Sequence, residues 1–187
     1  MSNPFAVPEF NSDKISIGMM EEYKKVLAPL IHYPVTLLEI GVKYGGSIQY
    51  WDRYLKHPEA RIVGVDLEAP DIEVSDRVEL VECDQNNKIR LQQLADRYGK
   101  FDLVIDDASH YKKETEICLG VFWPHLKSGG YYCIEDWAVG YFGDQLPQYA
   151  GMVDVITDMM TGSSDRAFSS VRVVLEEGKS MAFFQKK

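Results

Sequence analysis

Two short stretches gather groups that can do chemistry. Asp106-Asp107-Ala108-Ser109-His110 follows the largely apolar run 101–105, and Glu135-Asp136-Trp137 follows 131–134. Both runs read as buried strands, so four carboxylates collect at two strand ends. Like charges held this close repel and raise one another's pKa unless a cation neutralises them. A carboxylate set favours a hard ion that keeps water or substrate oxygens in its shell, with Mg²⁺ ahead of Mn²⁺ and of Zn²⁺. His110 lies three residues after Asp107, and histidine is the residue type best suited to proton exchange with a hydroxyl. The plainer alternative is that Asp107 caps a turn, Glu135 and Asp136 face water and His110 is a loop residue. His32, His57 and His125 fall near helix ends or before a turn, where histidine commonly caps carbonyls.

A second set of residues points to a nucleoside. The run Thr36–Ile40 ends in Glu39-Ile40-Gly41-Val42-Lys43-Tyr44-Gly45-Gly46-Ser47. Its glycines let the backbone turn tightly and approach a ligand, and Ser47 can cap the helix that follows. The spacing is GxxxGG and not the GxGxxG of a dinucleotide site, and Glu39 would repel a pyrophosphate, so a cationic ligand fits better. Asp66, at the end of the next strand, can accept both hydroxyls of a ribose. Asp84 and Gln85, after a third strand, suit either an adenine edge or the cap of a loop.

The elements that must position these groups alternate. A helical face recurs at Ile17, Met20, Tyr23, Leu27, Leu30 and Ile31, bounded by Pro29 and Pro34. Strands are expected over Thr36–Ile40, Arg61–Asp66, Val78–Cys83, Phe101–Asp106 and Tyr131–Glu135, the last after the turn Ser128-Gly129-Gly130. Helices come between them, on the faces Ile48, Trp51, Leu55 and Leu91, Leu94, Tyr98, and over Ile117–Leu126. Glu176-Glu177-Gly178-Lys179 joins Val171–Leu175 to Met181–Gln185 as a hairpin. The expectation is an α/β fold: a Rossmann-like, doubly wound, seven-stranded sheet, mostly parallel with a C-terminal antiparallel hairpin. The whole of 1–187 reads as a single domain, with an N-terminal arm and helix over 1–33 and an irregular insertion over 137–170. In that insertion Trp137, Tyr141, Phe142, Leu146 and Tyr149 could close over a substrate or pack as core.

Composition bounds the function. The chain has 187 residues, 45% hydrophobic, with Lys+Arg 20 against Asp+Glu 29 and a net charge of −9. Such a chain buries a core without disulfides, and Cys83, Cys118 and Cys133 read as small core residues. The acidic balance disfavours a phosphate backbone, and neither a membrane-spanning run nor a leader is expected, which points to a cytoplasmic protein with a small-molecule substrate. A homo-oligomer is the generic expectation for such a protein.

The motif ExGxxxGGS, the acid at Asp66 and the terminal hairpin resemble the class I S-adenosylmethionine-dependent methyltransferases over nearly the whole chain. That resemblance implies that Glu39 lies near the methionine ammonium, that Gly41 and Gly45 line the cofactor with Ser47 beside them, and that Asp66 takes the ribose hydroxyls. The second cluster is similar to the metal-dependent sugar O-methyltransferases of macrolide biosynthesis and their cephalosporin-hydroxylase-like relatives. Their DDxSH and EDL patterns are met by Asp106–His110 and by Glu135-Asp136-Trp137, with Trp137 departing from leucine, and Ser12-Asp13-Lys14 resembles their TDK stretch. Carried over, Asp107, Glu135 and Asp136 would hold Mg²⁺, His110 would act as general base, and Asp106 would either contact the cofactor or brace the residues that do the work. The implied activity is O-methylation of a sugar diol, catechol or natural-product intermediate. The competing readings are a metal-independent methyltransferase relying on His110 and a non-catalytic cofactor-binding protein.

Overall fold

The computed structural model describes residues 10–141, 147–162, 166–176 and 178–187. Seven strands form one sheet: β1 (Thr36–Ile40), β2 (Arg61–Asp66), β3 (Val78–Glu82), β4 (Phe101–Asp106), β5 (Leu126–Glu135), β6 (Phe168–Glu176) and β7 (Lys179–Lys186). Their order is β3-β2-β1-β4-β5-β7-β6. Strands β1 to β5 run parallel, and β7 is antiparallel to both β5 and β6. This is the doubly wound sheet with a terminal hairpin that the sequence predicts.

Residue alternation sorts the two faces, because successive side chains on a strand point to opposite sides. Leu38, Ile40, Val104 and Ile134 pack with helices α4 (Lys88–Tyr98), α5 (Lys112–His125) and α6 (Met152–Thr161). Leu37, Ile62, Ile105 and Phe183 pack on the other face, with α2 (Met19–Leu27) and α3 (Gly46–Tyr54). Chain order reverses between β1 and β4, and the carboxyl ends there open the crevice where such sheets bind ligands.

Several boundaries differ from the sequence reading, each for a local reason. The expected first helix begins only at Met19 of α2: Gly18 adopts φ 77° between it and a short preceding helix, α1 (Asp13–Ser16), and Ile17 is left exposed. Helix α2 stops at Leu27 and continues as a 3₁₀ turn over Ala28–Leu30 that contains Pro29. Ser47 does not cap α3: Gly45, at φ 81°, is the N-cap residue. Helix α5 starts five residues ahead of the expected Ile117, at Lys112, and carries Pro124 in its last turn. The expected turn Ser128–Gly130 lies within β5, beside a register shift against β4. Helix α6, buried through Met152, Val155, Ile156 and Met159, occupies part of the expected irregular insertion. The three cysteines are free and buried, as expected. Among the described residues no helix is long and apolar enough to cross a membrane.

Candidate functional site

The loops after β1 and β4 meet backbone to backbone. The Asp107 N–H donates to the Ile40 carbonyl at 2.8 Å. Gly41 lies at φ 92°, and a Cβ there would fall 2.0 Å from the Asp107 carbonyl oxygen. Only glycine tolerates both that φ and that approach. Beside this contact opens a cavity of about 580 Å³, a normal size for a small-molecule site. Gly41, Ser47, Asp66, Asp84 and Gln85 line it on one side, and Asp107, His110, Glu135 and Asp136 on the other. Of the remaining predicted residues, Glu39, Gly45 and Asp106 are buried behind the wall.

The half formed by β1 to β3 is already supplied with donors. Asp66 accepts through Oδ2 from the Val42 and Lys43 N–H groups, both at 2.7 Å, and through Oδ1 from Leu67 N–H at 2.7 Å. A carboxylate offers about four lone-pair sites, so capacity remains for a ligand hydroxyl. Asp84 accepts from the Asn86 N–H at 2.7 Å, which is the loop-capping alternative. Gln85 faces inward as a bridge: its Nε2 donates to Asp106 Oδ1 at 3.1 Å, and its Oε1 accepts from Ser109 N–H at 3.3 Å. Asp106 also accepts from the Tyr132 hydroxyl at 3.0 Å. Burial, reinforced by Asp107, pushes the Asp106 carboxyl up to about 7 against these two hydrogen bonds. Glu39, the next-to-last residue of β1, is wholly buried. It takes Ser47 Oγ at 2.7 Å, Trp51 Nε1 at 2.9 Å and the Lys14 ammonium at 2.6 Å.

The half formed by β4 and β5 is crowded with charge. Asp107, His110 and Asp136 each turn a ligand atom to a common point, all within 4.8 Å of one another. His110 Nε2 lies 3.9 Å from both Asp107 Oδ1 and Asp136 Oδ2. His110 and Asp136 reach this point only by adopting left-handed backbone, φ 57° and 50°. That conformation costs a non-glycine residue roughly 1–2 kcal/mol, and such strain gathers at functional sites. Burial, with Asp107 next, pushes the Asp136 carboxyl up to about 6 although His110 and Lys14 oppose it. Glu135 is raised well above the carboxylate range for the same two leading reasons. Its Oε1 accepts from the Tyr23 hydroxyl and lies 3.0 Å from Lys14 Nζ, so it stands beside the three-residue group and not within it. A hard divalent ion suits the mutually repelling carboxylates here, and His110 stands beside them as a group able to exchange a proton.

Lys14, Tyr23 and Trp51 are participants that spacing alone does not identify. Tyr23 and Trp51 carry helical periodicity and read as core, yet their polar tips hold Glu135 and Glu39. The aromatic set of the insertion divides. Trp137 joins the core, while Tyr149 stacks on Tyr111 with centroids 5.1 Å apart and stands edge-on to His110 at 6.3 Å. The Tyr141 hydroxyl donates to the Ala150 carbonyl at 3.1 Å. Phe142 and Leu146 lie outside the described residues. Away from the crevice, His125 contacts Gln92 and Asp96, and His57 Nδ1 accepts from Glu59 N–H.

Comparison with known proteins bears on the family and the fold. A family described as a methyltransferase domain matches residues 38–137, more than half of the chain. Mycinamicin VI 2''-O-methyltransferase of Micromonospora griseorubida is 35% identical over 127 residues, covering 64% of this chain and 30% of that protein. A Streptomyces olivaceus 3'-O-methyltransferase acting on a rhamnosyl tetracenomycin is 33% identical over 136 residues, covering 69% of this chain and 33% of that protein. The solved structure of the MycE methyltransferase from the mycinamycin biosynthetic pathway, in complex with Mg, SAH and mycinamycin VI, superposes with a TM-score of 0.74. It is 27% identical, with 97% of this chain and 52% of that one covered. The chain thus spans about a third of the length of the curated relatives it matches and about half of the solved one. With the family match over the strand-end motifs and the 3-2-1-4-5-7-6 sheet in place, the chain belongs to the methyltransferase-domain family and has the class I S-adenosylmethionine-dependent fold.

Proposed function

We propose that this chain is an S-adenosylmethionine-dependent O-methyltransferase that acts, with Mg²⁺, on a hydroxyl of a small molecule carrying a vicinal diol, such as a sugar. The observation that carries the reading is the convergence of Asp107, His110 and Asp136 beside the cavity that Gly41, Asp66 and Gln85 line. Relatives named as O-methyltransferases, one of them of a rhamnosyl tetracenomycin, and a solved relative described with Mg and SAH support the same chemistry.

Bound S-adenosylmethionine supplies an electrophilic methyl group, and bound Mg²⁺ supplies the positive charge that acidifies a chelated hydroxyl. This chain's residues do the rest. Gly41 leaves room where the β1 and β4 loops meet, Asp66 accepts from a ribose hydroxyl at its remaining lone pair, and Gln85 offers an amide to the adenine. Asp107 and Asp136 would hold the ion, with Glu135 as a third carboxylate beside them. His110 receives the hydroxyl proton at Nε2, which stands 3.9 Å from a carboxylate oxygen of Asp107 and of Asp136. Tyr149 and Tyr111 wall the His110 side and limit water there.

The test is transfer of labelled methyl from S-adenosylmethionine to glycosides with vicinal hydroxyls, with and without chelator. Transfer that chelator stops and Mg²⁺ restores is the expected result; chelator-insensitive transfer defeats the metal assignment, and binding of S-adenosylhomocysteine without transfer to any diol defeats the catalytic one.

A further inference from the structure

Lys14 has no step in the proposed chemistry, yet its ammonium sits among the crevice carboxylates. It is 3% exposed and lies 2.6 Å from Glu39 Oε1, 2.9 Å from Asp107 Oδ2 and 3.0 Å from Glu135 Oε1. These three contacts match its three protons. Glu39 belongs to the β1 side of the crevice, whereas Asp107 and Glu135 are two of the carboxylates assigned to the ion. Asp107 is thereby divided, with Oδ2 on Lys14 and Oδ1 3.9 Å from His110 Nε2.

The lysine also fastens a wall of the cavity. Asn11, Ser12, Asp13 and Ile17 line the cavity together with Lys14. The four-residue helix that carries it is too short to hold itself in place. The segment rests against α3 so closely that a Cβ on Gly46 would lie 2.4 Å from the Asn11 carbonyl.

We propose that Lys14 is a displaceable counter-cation: it holds Asp107 and Glu135 while no divalent ion is bound and gives them up when one binds, so ion occupancy and docking of the 11–17 segment are linked. This inference rests on the metal reading above. Two cations compete for the same oxygens, and a doubly charged ion on Asp107 repels an ammonium in contact with that carboxylate. The linkage is reciprocal: what ion binding takes from the segment's docking, the docked lysine takes from ion affinity.

The experiment uses the full chain, metal-free, with Mg²⁺ alone as the probe. Calorimetric titration compares the natural protein with Lys14→Gln, and hydrogen–deuterium exchange follows residues 10–18 with and without Mg²⁺. Lys14→Gln is expected to bind Mg²⁺ about tenfold more tightly or better, as expected when a nearby positive charge is removed. The natural protein is expected to exchange faster over 10–18 when Mg²⁺ is added, and the variant to show no such response. A folded variant with equal or weaker affinity overturns the inference, as does unchanged or slower exchange in the natural protein. Should Lys14→Gln not fold, the exchange result on the natural protein decides alone. If neither protein binds Mg²⁺, the metal reading fails and takes this inference with it, whereas Mg²⁺ binding without either effect removes only the role of Lys14.

Discussion

The two halves of the crevice use the same functional group at the same place in the fold, a carboxylate at the end of a parallel strand, and give it opposite surroundings. At the end of β2, Asp66 is met by three backbone N–H groups, so its charge is satisfied before any ligand arrives. At the ends of β4 and β5, Asp107, Glu135 and Asp136 face one another, and burial together with mutual repulsion lifts Glu135 and Asp136 out of the ordinary range. Position alone therefore does not set a carboxylate's role. An acid surrounded by amide donors is a preformed acceptor for neutral hydroxyls, whereas acids surrounded by acids are a site in want of a cation.

The strongest way to break this comparison is at the crowded half. Asp107→Ala removes the carboxylate shared by His110 and Lys14, and methyl transfer should fall by about a thousandfold or more while S-adenosylhomocysteine still binds. His110→Asn should lower the rate by ~10²–10⁴ with little change in Mg²⁺ affinity, which separates proton transfer from ion binding. Gly41→Ala strikes the joint between the halves; its Cβ has no room beside the Asp107 carbonyl, and chemical denaturation should show a loss of about 3 kcal/mol or more.

Two smaller changes sharpen the contrast. Asp66→Ala leaves three N–H groups without their acceptor and should weaken S-adenosylhomocysteine binding by about tenfold to a hundredfold without altering Mg²⁺ affinity. Far from the crevice, Glu22 joins α2 to β6 through Arg172 and to its own helix through Lys25. Burial raises the Glu22 carboxyl, but those two cations more than offset it and leave it below the ordinary 4.5. The pair's contribution is thus fully present above that value and is lost as pH falls through the lowered folded-state value. Glu22→Gln should reduce stability near neutral pH by no more than about 1 kcal/mol, a difference that disappears in acid thermal melts.

The sequence showed most of the frame and of the lined cavity because strands buried on both faces leave a largely apolar record, and because glycine turns and acids mark where those strands stop. Gly41, Asp66, Gln85, Asp107, His110, Glu135 and Asp136 all reach the crevice for that reason. Helix α6 was hidden because its apolar face lies in a stretch flanked by irregular turns. Glu39 shows how register decides access: it alternates onto the α2–α3 face, so its charge is met by Ser47, Trp51 and Lys14 and not by open cavity. The inward turns of Tyr23 and Lys14 are set by tertiary docking of the N-terminal elements, which carries no periodic signature. Ser12-Asp13-Lys14 was visible as a resemblance, but nothing in its spacing told which carboxylates the lysine meets.

The central claim is that one half of the crevice is ready for its cofactor and the other is built around a divalent ion. It is tested most directly by calorimetric titration of S-adenosylhomocysteine into metal-free protein, followed by Mg²⁺ into that complex, with Asp107→Ala and Asp136→Ala alongside. The account predicts cofactor binding in all three proteins and a Mg²⁺ isotherm only in the natural one. Absence of cofactor binding, or a Mg²⁺ isotherm that survives both substitutions, would contradict it.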